Sequence, residues 1–195
     1  MLFLTNIDYS TKRENSDNSD RLEAALARLS AGDEQALAEI YQDTRVSVYG
    51  FALSLLKNKY DAEDVMQDCY VAVFTHAKDY TPRGKPLAWI LTITKNLAYK
   101  RMRSASRISY EEEDFERYID SRESMVNRNE QRVILKEMLE LLSDEERQIV
   151  TLHAVSGMKH KHIAQLLELP LATVLSKYNR ALKKIRASMQ EEKTT

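Results

Sequence analysis

Carboxylates gather at one place in the chain: Asp61, Glu63, Asp64 and Asp68, with His76 just beyond them. Such a group can bind a divalent metal or share acid–base work in a hydrolysis. Helical spacing spreads these four around the axis, and no second ligand set lies nearby. The pattern therefore favours an acidic, solvated helix flank. His153, His160 and His162 raise zinc in the same way. The last two stand two apart and would point away from each other on a helix, so surface or capping roles suit them better. Neither cluster gives a catalytic residue, a metal site or a cofactor. Two other patterns point to nucleic acid. Ser176, Lys177, Arg180, Lys183 and Lys184 lie off an apolar stripe made by Val174, Tyr178, Ala181, Leu182 and Ile185. Arginine can reach guanine bidentately and lysine can hold phosphate, so this face suits duplex DNA. Trp89, Thr92, Asn96, Tyr99 and Arg103 recur at steps of three and four on another helix. Rings that stack on bases, beside cations that hold phosphates, suit single-stranded DNA. Taken alone, the tryptophan reads as core.

These side chains need helices to carry them. With only 4 Gly and 3 Pro in 195 residues, long helices are favoured over a turn-rich β fold. Residues 1–20 are polar and patternless and are expected to be disordered. A helix from about Asp20 carries Leu22, Leu26 and Leu29. After Gly32, Asp33 is the expected cap of a long helix with Leu37, Ile40, Tyr41, Val48, Phe51, Ala52, Leu55 and Leu56 in one stripe. Asp61 is expected to cap the next helix, which presents Val65, Cys69, Ala72, Val73 and His76 on one face. The loop Lys78 to Lys85 precedes Pro86, a good first-turn residue for a helix reaching about Arg103. Ser104 to about Val126 reads as an acidic linker. Leu135, Met138, Leu139 and Leu142 open a second helical unit, and Ser143-Asp144-Glu145-Glu146 is a capping box. Gly157 stops that helix, and Glu168-Leu169-Pro170 separates the last two helices as in a helix-turn-helix.

The formal net charge is −1, which by itself argues against a nucleic-acid binder. The distribution reverses that argument: Lys78 to Arg107 is basic, Tyr110 to Glu123 acidic, and Met158 to Gln190 basic again. The lone cysteine, Cys69, excludes an internal disulfide framework and fits a reducing cytoplasm. Met1-Leu2-Phe3-Leu4 is too brief for a signal peptide. No stretch approaches the roughly 20 apolar residues of a membrane span. A cytoplasmic protein without membrane insertion is expected.

The order DAEDVMQDCYVAVF, PLAWILTITKNLAYKRMR, a variable linker, then LLSDEERQIVTLHAVSGMKHKHIAQLLELPLATVLSKYNRALKKIR resembles an extracytoplasmic-function (group IV) sigma factor of bacterial RNA polymerase. The likeness covers about residues 21 to 187. It implies an all-α fold of two small domains: region two over 21–103, a flexible acidic linker over 104–127, and region four over 128–188, with a tail at 189–195. It implies no catalytic residues, since the polymerase supplies them. By the resemblance, Asp61, Glu63, Asp64, Val65, Gln67 and Asp68 bind the β′ clamp helices of core polymerase. Lys78, Tyr80, Arg83, Trp89, Lys95, Asn96, Tyr99 and Arg103 read the −10 element as a single strand. Thr173, Ser176, Lys177, Asn179, Arg180 and Lys184 read the −35 element as duplex, with region four also touching the β flap. An anti-sigma protein clamping both domains is implied as a further partner. His162, Ala172 and Leu175 depart from the family's commoner residues, and those departures bear on −35 preference.

Two other functions compete. A stand-alone helix-turn-helix regulator would leave the acidic helix start and the aromatic, basic helix unexplained. A helical enzyme would need the carboxylates to converge. The sigma-factor reading also requires that both cationic faces can be presented to DNA.

Overall fold

The structure is a computed structural model that describes residues 7–82, 84–108 and 141–191, with side chains for 18–82, 84–104, 141–188 and 190. Seven helices fall among them: α1 (Ile7–Ser30), α2 (Ala36–Leu56), α3 (Lys59–His76), α4 (Pro86–Ile108), α5 (Asp144–Ala154), α6 (His160–Leu167) and α7 (Leu171–Glu191). A short 3-10 turn, Ala77–Asp79, follows α3. No strand occurs among the described residues.

Helix α1 begins at Ile7, so residues 7–20 are helical and not disordered as expected. They contain neither Gly nor Pro, and the helix of Leu22, Ala25, Leu26 and Leu29 extends back through them. Residues 1–6 and the tail from 192 lie outside the description. The same is true of the linker beyond Ile108 and of Leu135, Met138 and Leu139. Helix α4 runs five residues past the expected end at Arg103.

Helix α2 is the hub. It packs on α1, α3 and α4, and also on α5 of the second unit. Ile40, Val48, Phe51 and Ala52 are fully buried along it. Fully burying a side chain of this size contributes roughly 1.5–3 kcal/mol. The buried Thr44 hydroxyl is satisfied: its Oγ1 donates to the Ile40 carbonyl at 2.6 Å and lies 2.9 Å from Tyr70 Oη. Cys69 is buried beside Thr94, and burial pushes its thiol up to about 11, so it is unreactive at neutral pH.

Two caps differ from expectation. Asn58, not Asp61, caps α3: its Oδ1 accepts from the Tyr60 and Asp61 amides at 2.9 and 3.2 Å. Asp61 sits in the first turn instead. Asp33 Oδ1 accepts from the Gln35 amide at 3.1 Å, so it orders the turn before α2 and not the first helical residue. The expected capping box is complete. Ser143 Oγ accepts from the Glu146 amide, and the Glu146 carboxylate accepts from the Ser143 amide at 2.9 Å. Gly157 takes φ +63 after α5, where a Cβ would be strained. Below it Met158 N–H reaches back to the Leu152 carbonyl.

Candidate nucleic-acid interface

On α7, Val174 and Ala181 are fully buried, and Tyr178, Leu182 and Ile185 are half-buried, as the stripe requires. Ser176, Asn179 and Arg180 are exposed on the far side, with Thr173 half-buried at its edge. Lys177 and Lys184 are not free there. Lys177 pairs with Glu145 at 2.5 Å and Lys184 with Glu146 at 2.6 Å, so the acidic first turn of α5 holds both. Burial raises the Glu146 carboxyl, but the Lys184 ammonium and the Ser143 amide outweigh it and leave it below its ordinary value. Leu171 and Leu175 are exposed on α7 near its start.

The histidines are packing groups. His153 and His160 stack with ring centroids 4.3 Å apart, and Tyr178 stands edge-on to both. His153 Nδ1 lies 2.9 Å from the Met158 carbonyl. Burial, then the His153 ring, lowers the His160 pKa. Burial, then Lys85, Lys159 and Lys161, lowers that of His162. No group of three or more His, Cys, Asp or Glu side chains among the described residues could hold a metal.

On α4, Thr92, Asn96, Tyr99 and Arg103 are exposed, and Lys78 is exposed before the helix. Trp89 is half-buried against the core and tilted on Tyr80 at 5.0 Å. Tyr80 donates to Glu23 at 2.9 Å, which ties the loop to α1. Arg83 lies outside the described residues. Lys95 departs from the expected exposed position. Its side chain is 11% exposed, and its ammonium donates to the Leu166 carbonyl at 2.9 Å and to Glu168 at 2.7 Å. The second unit covers it, with α6 against α4. Between them lies a cleft of about 460 Å³, lined in part by Trp89, Thr92, Lys85, His162 and Gln165.

At the start of α3, Glu63, Asp64, Gln67 and Asp68 are exposed. Val65 is buried in the core, so it supports this surface from beneath and is not part of it. His76 is exposed and lies 3.1 Å from Asp79, away from the buried face proposed for it. Sequence reasoning missed Arg101, which bridges Asp61 at 2.7 Å and Asp64 at 3.0 Å from α4. The Asp61 contact chiefly raises the guanidinium pKa further. Arg101 is one of several cations in this part of α4, with Lys100 and Arg103 beside it, and its role is visible only once α3 and α4 are known to be antiparallel neighbours.

Comparison with known proteins agrees with this geometry. Sigma-70 region 2 matches residues 40–108, and Sigma-70 region 4 matches residues 132–185. Fold and matched regions together define a sigma-70-type transcription initiation factor, not an enzyme. An ECF RNA polymerase sigma factor SigK of Mycobacterium ulcerans is 30% identical over 176 residues, covering 86% of this chain and 93% of that protein. SigK of Mycobacterium bovis is 27% identical over 174 residues, covering 86% and 93%. The chain belongs to the ECF RNA polymerase sigma factors. CnrH, solved in complex with the cytosolic domain of CnrY, shares the fold with a TM-score of 0.62 at 23% identity, covering 88% of this chain and 98% of that one. The sigma factor RpoE of Bartonella quintana, solved with the anti-sigma factor NepR, also gives 0.62, at 21% identity, covering 78% and 97%. No helix among the described residues is long and apolar enough to cross a membrane.

Proposed function

We propose that this sigma factor divides its work among three surfaces. The exposed acids at the start of α3, chiefly Glu63, Asp64 and Asp68, dock on the β′ clamp helices of core polymerase. Asn96, Tyr99 and Arg103, with Lys78 and Trp89, take the −10 element as a single strand. Ser176, Asn179 and Arg180 enter the major groove of the −35 duplex, while the β flap takes another face of region four. The domain limits that fit this division are region two over 21–108 and region four from about 128 to 188. The protein acts in the cytoplasm. Its restraining partner is an anti-sigma protein, as the sigma–anti-sigma pairing named for RpoE and NepR suggests.

The observation that carries this reading is the polarity of α7: a buried stripe ending in Ala181, and directly opposite it exposed Ser176, Asn179 and Arg180. A helix of that kind after a tight turn is how a helix-turn-helix presents base-reading side chains. The carboxylates do not converge on a metal-like site, since Arg101 takes two of them, and this removes the enzyme reading's only support.

Footprinting of the holoenzyme on a promoter selected from the host genome tests it. Two protected blocks are expected: an upstream duplex block, and a downstream block whose thymines react with permanganate because they are unpaired. A single duplex block without melted thymines would contradict the division.

A further inference from the structure

We infer that Leu175, with Leu171 one turn before it, reads thymine in the −35 duplex by its C5 methyl group, so that region four selects A·T pairs by apolar contact beside the polar reading of Asn179 and Arg180. The inference rests on the duplex role proposed for α7 and names a base that this face recognises. The segment Leu166 to Leu175 holds five leucines. Leu166 is buried, and Leu167 and Leu169 pack against the core. Leu171 and Leu175 are instead 44% and 42% exposed. Backbone bonds fix the turn that sorts them: Leu169 N–H donates to the Ala164 carbonyl at 3.0 Å, and Val174 N–H to the Pro170 carbonyl at 3.1 Å.

Position decides what the two exposed leucines can do. A single surface leucine carries no message. These two stand four residues apart, with Asn179 four residues further on, so the three form one row along α7. Ser176 and Arg180 form the neighbouring row. Val174 and Ala181 hold another side of the helix in the core. The leucines therefore flank the exposed polar groups, at the end of the helix that a helix-turn-helix turns toward base edges. A leucine side chain neither donates nor accepts a hydrogen bond, so it tells bases apart only by their apolar surface. In the major groove that surface is the C5 methyl of thymine. Four residues of helix rise about 6 Å, and stacked bases lie about 3.4 Å apart, so the leucine row covers no more than two base steps. Asn179, next in that row, suits the N6 and N7 of adenine, whereas Arg180 suits guanine. The face is thus divided, with A·T pairs under one row and a G·C pair under the other.

The test uses holoenzyme assembled from the full chain and host core polymerase. Selection from duplexes randomised upstream of the start site first gives the −35 element. Each thymine of that element, on either strand, is then replaced by deoxyuridine, which removes one methyl and keeps every hydrogen-bonding group. Competition binding should show wild type losing roughly fourfold at the thymine under Leu175, the size of one buried methyl. Leu175→Ala should bind the unmodified duplex more weakly and be indifferent to that replacement. Leu175→Arg should exchange the preference there for guanine. An element without A·T pairs, a wild type indifferent to every methyl, or Leu175→Ala that still loses fourfold at the same thymine would overturn the proposal. Affinity for core polymerase is measured in parallel. If Leu175→Ala weakens it, or weakens all −35 sequences alike, a protein surface such as the β flap covers the leucine and the proposal falls. A selection that returns no common upstream element would overturn the duplex-reading role itself, before any variant is made.

Discussion

The guanidinium of Arg101 lies 2.7 Å from the carboxylate of Asp61, joining the C-terminal half of α4 to the start of α3. The contact leaves Asp61 half-buried and paired, whereas Asp68 and Glu63 are exposed; on the division of surfaces proposed above, those two would carry most of the core binding. Asp68→Lys should therefore weaken binding to core polymerase about tenfold, or about 1.4 kcal/mol. Asp61→Asn should instead cost mainly stability, since it leaves Arg101 with one partner. Titration of labelled protein with core, beside thermal melts, separates the two. Wild-type affinity for Asp68→Lys would remove that surface from the account.

On α7, Arg180 and Lys177 should part company. Arg180→Ala is expected to cost about 1–3 kcal/mol on a −35 duplex if it reaches a base edge. Lys177→Ala should cost less, because Glu145 already holds that ammonium. Duplex binding measured over a range of salt checks both. Equal losses for Arg180→Ala on cognate and scrambled duplexes would show that it holds only phosphate.

Ser143→Ala should destabilise region four by about 1 kcal/mol, since it removes one arm of the capping box. Glu146→Ala should cost more, for that carboxylate also receives Lys184 and is nearly fully buried. Guanidinium unfolding of the full chain measures both. Near-equal stabilities would mean that the Lys184 pair contributes nothing.

Much of this was legible because it is local. The capping box, Gly157 and the α7 stripe are each written within one helix or turn, and the basic-acidic-basic charge order is read directly along the chain. The Lys95 clasp was not, since it joins residues 71 apart in the chain across two units. Periodicity placed Lys95 off the apolar stripe and could not show that α6 covers it. Asp61 and Asn58 are both good caps, and only the start of α3 at Lys59 chooses between them. The His153, His160 and Tyr178 cluster draws on three helices or their edges, so single-helix spacing misread the histidines as surface groups.

That cluster makes region four sensitive to acid. Burial and the neighbouring ring lower the His160 pKa in the folded state. The unfolded chain then binds more protons at mildly acidic pH. The stabilisation is therefore complete above about 6.5, the free value, and declines as pH falls through it. The melting temperature should be lower at about pH 5 than at pH 7. His160→Phe should flatten that dependence, leaving a smaller slope from His162, which is shifted in the same direction. An unchanged slope in His160→Phe would assign the effect elsewhere.

The most direct test is run-off transcription with purified core polymerase from the host, adding this protein to a library of genomic promoter fragments. The account predicts discrete transcripts that appear only with the protein, from sites sharing two spaced sequence elements, and that vanish with Arg180→Ala and Tyr99→Ala. If the protein bound core yet produced no start-site-specific transcript from any fragment, the central claim would be contradicted.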